Sequence, residues 1–138
     1  MKDVFCKIID GEIPSTKIYE DDDVLAILDV SQTTKGHTLV MPKKHYQDFL
    51  STPSSVSHKV YDVAQRIGQA MVGVLGAKGV NILTNAGEAA GQSVPHFHVH
   101  VIPRYTGGEG GFQISMKAQD TSSMDLPRLA LSIKEGIK

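Results

Sequence analysis

The run Val94-Pro95-His96-Phe97-His98-Val99-His100-Val101-Ile102-Pro103 constrains this chain more than any other segment. Histidine and apolar residues alternate strictly from position 96 to 101. A period of two marks a strand with one face in a core. The pattern predicts a strand over 96–102, stopped by Pro103, which has no N–H for a ladder. Phe97, Val99 and Val101 then face the core. His96, His98 and His100 share the other face, with Cα atoms ~6.6–6.8 Å apart. Three imidazoles converge on one small volume.

The rest of the chain supplies partners for that strand. Val4, Phe5, Ile8 and Ile9 form a stripe on a short helix over 3–10, capped by Asp3 and ended by Gly11. Lys17–Glu20 and Val24–Leu28 read as strands, with Asp21-Asp22-Asp23 as a solvated hairpin turn. A polar loop over 30–37 leads to a strand at Thr38–Met41. A long helix over 53–75 follows, with Thr52 as the expected cap and Pro53 in its first turn. Val56, Val60, Val63, Ile67, Met71 and Val74 form its core stripe. Asn81–Thr84 is the fourth strand, and 85–91 is a polar loop. The glycines of 106–111 predict a flexible loop, and 107–111 is expected to order around ligand. Asp125–Ile137 is a last amphipathic segment. Hairpin-like strands with one inserted helix favour an α+β fold with a mostly antiparallel sheet.

Composition narrows the function. The chain has 138 residues, one domain's worth, with 14 Lys+Arg against 15 Asp+Glu. That balance gives no basic field for nucleic acid. No apolar run approaches the ~18–20 residues of a membrane span. One cysteine permits no internal disulfide, and Met1–Lys7 lacks the apolar core of a signal peptide. The expected location is cytoplasmic.

On its local pattern the histidine row fits either of two chemistries. One is a metal site, since His-x-His presents two ligands to one ion. The other is nucleophilic and acid–base chemistry at a phosphate, for which neutral imidazole is suited near pH 7. Gly91-Gln92-Ser93, just upstream, offers a flexible backbone, an amide and a hydroxyl. Such neutral donors hold phosphate oxygens, and they tilt the choice toward the second.

At this point the sequence resembles a family. His96-Phe97-His98-Val99-His100-Val101-Ile102 is similar to the His-φ-His-φ-His-φ-φ signature of the histidine triad (HIT) nucleotide hydrolases and transferases. Phe5–Ile9 with Glu12-Ile13-Pro14, Leu28–Ser31, Lys35–His45 and Asn85–Ser93 resemble further family segments, in order. The match covers most of residues 4–105, and the nearest branch looks like the Hint-type and bacterial HIT proteins. His100 stands where the galactose-1-phosphate uridylyltransferase branch carries Gln, which disfavours that branch.

The resemblance implies the following. The fold would be HIT-like: a five-stranded antiparallel sheet with one long and one short helix, two sheets joining in a two-fold homodimer. Residues 1–138 would form one HIT domain, with a core at about 4–105 and a C-terminal extension at 106–138. His98 would be the nucleophile, flanked by His96 and His100 and supported by His37. Asp29 would accept from the ribose hydroxyls. Asn85, Gln92 and Ser93 would contact phosphate and leaving group. The expected activity is hydrolysis of purine nucleoside 5′-phosphoryl substrates, such as adenosine phosphoramidates, with no cofactor required. A diadenosine-polyphosphate hydrolase, or a nucleotide-binding module with little turnover, are the alternatives. Some bacterial relatives hold structural zinc with a Cys-x-x-Cys pair. Here Asp3 and Cys6 occupy those positions, and His45 and His96 match the other ligands.

Overall fold

The computed structural model describes residues 2–108 and 113–138. Alternating apolar strands pair into one five-stranded antiparallel sheet. The strands are β1 (Lys17–Glu20), β2 (Val24–Leu28), β3 (Thr38–Pro42), β4 (Gly79–Leu83) and β5 (Val99–Arg104), in the order β1-β2-β3-β5-β4. The helices are α1 (Val4–Ile9), α2 (Ser54–Leu75) and α3 (Leu126–Gly136). No helix among the described residues is long and apolar enough to cross a membrane.

The period-two pattern sorts side chains to two faces. Val24, Ala26, Val40, Val99 and Val101 pack against Val60, Val63, Ala64, Ile67 and Met71 of α2. Leu25, Ile27, Leu39 and Met41 point the other way, to Phe5 and Ile8 of α1. The sheet is thus covered by the long helix on one side and partly by the short helix on the other. The histidines lie on the α1 side.

Four details depart from the sequence expectation. β5 starts at Val99, not His96, and runs through Pro103 to Arg104 instead of stopping at the proline. The chain enters the sheet late because the Phe97 N–H bonds the Tyr46 carbonyl at 2.7 Å, outside the ladder. Side-chain alternation survives nonetheless, with Phe97 in the α2 core and His96 and His98 against Phe5. Thr52 does not cap α2; its hydroxyl donates to the Asp48 carbonyl at 2.6 Å, and Pro53 takes the N-cap place without a side-chain bond. Val74 is 81% exposed and lies outside the core stripe, which ends at Met71. Finally, β4 begins at Gly79, two residues earlier than expected.

The expected turns and caps are otherwise present. Asp3 caps α1 by accepting from the Cys6 N–H at 2.8 Å. Asp21 builds the β1–β2 turn by accepting from the Asp23 and Val24 N–H groups. Gly76, with φ of 75°, ends α2. Asp125 caps α3, every residue of which is exposed in the single chain. Most of the glycine loop at 107–111 lies outside the described residues.

Candidate active site

Five elements bring the site together. The loop from Asp29 to His37 is pinned at both ends before β3 starts. The Gln32 side chain donates to the Asp29 and His37 carbonyls and accepts from the Gly36 N–H at 2.7 Å. The Thr34 hydroxyl donates to the Pro103 carbonyl at 2.7 Å, and the Tyr105 hydroxyl donates to the Lys35 carbonyl. Gly36 has φ of 104°, and a Cβ there would come within 3.0 Å of Leu75 and 3.2 Å of Pro103. Only glycine fits that turn. His37 is thereby delivered, buried, beside His100.

The hydrogen bonds give each imidazole a direction. The Thr33 N–H donates to His37 Nδ1 at 3.3 Å. Ser31 backbone also lies near this ring, but Thr33 is the partner with hydrogen-bond geometry. A His37 Nδ1 that accepts leaves the ring proton on Nε2. His37 Nε2 lies 2.9 Å from His100 Nδ1 and 3.6 Å from Asp29 Oδ2. Donation from His37 to His100 then leaves the His100 proton on Nε2. His98 Nδ1 lies 2.7 Å from the His96 carbonyl, which can only accept. His98 therefore carries its proton on Nδ1 and a lone pair on Nε2. His98 and His100 rings sit 5.0 Å apart. One presents a lone pair and its neighbour presents an N–H.

Burial keeps these rings neutral. It pulls His37, His96, His98 and His100 below the ordinary imidazole range. His100 is pushed down to about 4, by burial first and then by His98 and His37. A group whose folded pKa is depressed binds more protons when unfolded. Stability is therefore full above about pH 6.5 and falls as pH drops toward about 4. Discounted for solvent at this half-buried ring, His100 alone gives a loss of about 1–2 kcal/mol between pH 7 and 5. Urea unfolding at the two pH values measures it; equal or greater stability at pH 5 would contradict the assignment.

The remaining predicted residues are placed less uniformly. Asp29 Oδ1 accepts from the Ser31 N–H at 2.8 Å, leaving Oδ2 near His37. The Asn85 side chain packs beside Gly91 in the loop after β4. Ser93 is exposed at the end of that loop, on a cleft it shares with Gln47, Gly87 and Gln92. The Gln92 amide is turned to backbone groups. Its Oε1 accepts from the Gly87 N–H at 2.8 Å, and its Nε2 donates to the Gln47 and Val94 carbonyls. The amide is occupied in shaping the loop. Three residues were missed from sequence. Thr84 donates its hydroxyl to the His98 carbonyl at 2.7 Å, Phe5 packs edge-on against the His98 ring at 4.9 Å, and Pro42 accepts from His96 Nε2 at 3.1 Å. Phe5 and Pro42 stand in segments that resemble the family, but these contacts become visible only once the strands pair.

A second cluster joins the row at His96. Ligand atoms of Asp3, Cys6, His45 and His96 all lie within 4.8 Å of one another. Cys6 Sγ is 3.5 Å from His45 Nδ1 and 3.6 Å from His96 Nδ1. Asp3 Oδ2 is 3.0 and 3.3 Å from the same two nitrogens. Zinc bonds of ~2.0–2.3 Å in a tetrahedron put neighbouring donors roughly 3.3–3.7 Å apart. Asp3 Oδ2 is buried without a hydrogen-bond partner. The donors fit a zinc ion, with one thiolate instead of two.

The family model described as HIT domain matches residues 10–107. The chain belongs to the HIT family. A solved HIT family protein from Bacillus anthracis is 44% identical, with a TM-score of 0.90, covering 98% of this chain and 96% of that one. The HIT fold is thus the fold of this chain. The adenylylsulfatase HINT3 of Arabidopsis thaliana is 46% identical over 101 residues, 73% of this chain and 51% of that protein. A Zn-bound histidine triad family protein from Mycobacterium smegmatis is 40% identical, with a TM-score of 0.75, covering 98% of this chain and 96% of that one. One relative of this HIT protein is thus named an adenylylsulfatase, and zinc in another is compatible with its second cluster.

Proposed function

We propose that this HIT protein is a hydrolase of purine nucleoside 5′-phosphoryl substrates, acting through a nucleotidyl-His98 intermediate. The observation that carries the reading is the His98 Nδ1 contact with the His96 carbonyl at 2.7 Å. It turns a neutral Nε2 lone pair outward, as a nucleophile requires. The adenylylsulfatase name of HINT3 supports an adenylyl group passing to water.

The residues divide the steps as follows. His98 Nε2 attacks the α-phosphorus of an adenosine phosphoramidate, forming a P–N bond as the bond to the leaving amine breaks. The amine, protonated on its nitrogen from solvent, leaves as the neutral amine while His100 Nε2–H donates a hydrogen bond at the reacting centre. His37, fed by the Thr33 N–H, holds His100 in the donating tautomer. Water then attacks phosphorus, its proton passes to solvent, and the bond to His98 breaks, returning His98 as neutral imidazole. Nucleoside monophosphate leaves. Ser93 and Asn85 contact phosphate and leaving group, Asp29 accepts from the ribose, and Gln92 keeps the loop in shape for them. The chemistry requires no cofactor, because preorganised donors stabilise the phosphoryl charge.

The chain acts as one HIT domain with its core at about 4–105 and an extension at 106–138, in the cytoplasm, as a homodimer. The sheet order leaves β4 as an edge, and Ile82 on that strand is 44% exposed. Pairing β4 with its counterpart would extend the sheet to ten strands. The uncovered apolar side chains of α3, including Leu129 and Ile133, would find cover on the second chain. Native mass spectrometry should give twice the chain mass of 14.9 kDa, and Ile82→Asp should shift the population to monomer. A monomeric wild type removes the dimer.

The test of function is release of adenosine monophosphate from an adenosine phosphoramidate, followed by phosphorus NMR. Tight binding of the monophosphate without any turnover would instead support the binding-module reading.

A further inference from the structure

α1 has only six residues, and a helix that short is marginal unless something outside it holds it. It carries two of the four donors of the second cluster, Asp3 at its cap and Cys6 within it. The Asp3 side chain is 9% exposed, and its Oδ2 lacks a hydrogen-bond partner. The reason lies in His96. That ring donates Nε2–H to the Pro42 carbonyl at 3.1 Å, so Nδ1 presents a lone pair. A carboxylate oxygen 3.3 Å from it therefore meets an acceptor, not a donor. Two facing acceptors repel, and a buried one costs free energy, unless a cation lies between them. A thiol sulfur 3.6 Å from the same nitrogen completes the wall.

We infer that a divalent metal held by Asp3, Cys6, His45 and His96 is a positioning device for His98. The inference rests on the proposed role of His98 as nucleophile. Two connections lead from the cluster to that ring. The first is the His96 backbone: its side chain is a ligand, and its carbonyl receives His98 Nδ1–H at 2.7 Å. Fixing the His96 ring fixes the acceptor that sets the His98 tautomer. The second is Phe5, which lies between Asp3 and Cys6 on α1. Its ring meets His98 edge-on at 4.9 Å and His96 at 5.8 Å. Anchoring α1 at both Asp3 and Cys6 presses Phe5 against the nucleophile. The metal itself touches neither His98 nor His100, so it is no part of the reacting centre. One oxygen donor in place of a second thiolate makes the site harder and its hold on zinc weaker, so its occupancy responds more to free zinc.

The test starts from the full chain stripped of metal by a chelator and dialysed. Titration with Co²⁺ should saturate at one equivalent, with the visible bands of tetrahedral cobalt and a thiolate charge-transfer band. Asp3→Ala should weaken zinc, measured by chelator competition, by at least about tenfold, and Asp3→Cys should tighten it. Hydrogen exchange of the 4–9 amides should slow at least about tenfold on zinc addition, and ¹⁵N spectra should show one fixed His98 tautomer. Phe5→Leu should bind zinc as wild type does while the His98 ring signal broadens, which separates positioning from ligation. Absence of stoichiometric tetrahedral binding overturns the inference. So does binding that leaves α1 exchange and the His98 signal unchanged. Zinc-dependent ordering with no nucleotidyl adduct in either form supports the positioning device and overturns the hydrolase reading instead.

Discussion

His98→Ala is expected to lower turnover of an adenosine phosphoramidate by about 10⁴-fold or more, the scale of losing a covalent nucleophile. The loss should fall on kcat and not on substrate affinity. Other groups of the site, Asp29, Asn85 and Ser93, do not depend on the His98 ring for their positions. Binding of adenosine monophosphate, measured by calorimetry, should stay within about threefold of wild type, or about 0.6 kcal/mol. His98→Asn, which keeps a donor for the His96 carbonyl, should be as inactive, because it offers no attacking nitrogen. A variant that retains a tenth of the wild-type rate would show that His98 is not the attacking group.

Phe97→Ala is expected to destabilise the fold by about 3–5 kcal/mol, as buried aromatic truncations do. Phe97 is 1% exposed and lies in the core between the sheet and α2. Its ring also meets Phe49 at 5.8 Å. The cavity would open directly behind His96 and His98, whose backbone Phe97 joins. Thermal unfolding should shift down by roughly 10–20 °C for a chain of this size. Phe97→Leu should cost less, since it leaves a smaller void. A loss below about 1 kcal/mol for the alanine variant would mean the histidine segment is not anchored by this core.

How much of this was legible in the sequence depends on the range of the interaction. The strict alternation through Phe97, Val99 and Val101 gave the two faces of the segment, because side-chain direction is local to an extended backbone. The stripe from Val60 to Met71 gave α2 for the same reason. The start of β5 was not legible. It is decided by Tyr46, fifty residues away in sequence, whose carbonyl takes the Phe97 N–H before the ladder begins. Thr52 looked like a helix cap, yet the Asp48 carbonyl captures its hydroxyl. Gln92 read as a phosphate donor because its type and place suit one. Its amide instead has three backbone partners, which no local pattern encodes. The pairing of Cys6 with His45 and His96 spans 39 and 90 residues, and only the family resemblance pointed to it. The directions of the four imidazoles belong to the structure: His96 turns to the Pro42 carbonyl and His100 to the His37 ring, both far away in sequence, while His37 and His98 turn to nearby backbone groups whose placement depends on the folded loop and strand.

The covalent bond from His98 to phosphorus is open to direct observation. Rapid-quench mixing of the zinc-loaded protein with an adenosine phosphoramidate, read by intact-protein mass and then by fragmentation, tests it most directly. The expected result is a transient adenylyl mass increment that maps to His98 and is absent from His98→Ala. Turnover with no increment, or an increment that maps to another residue, would contradict it.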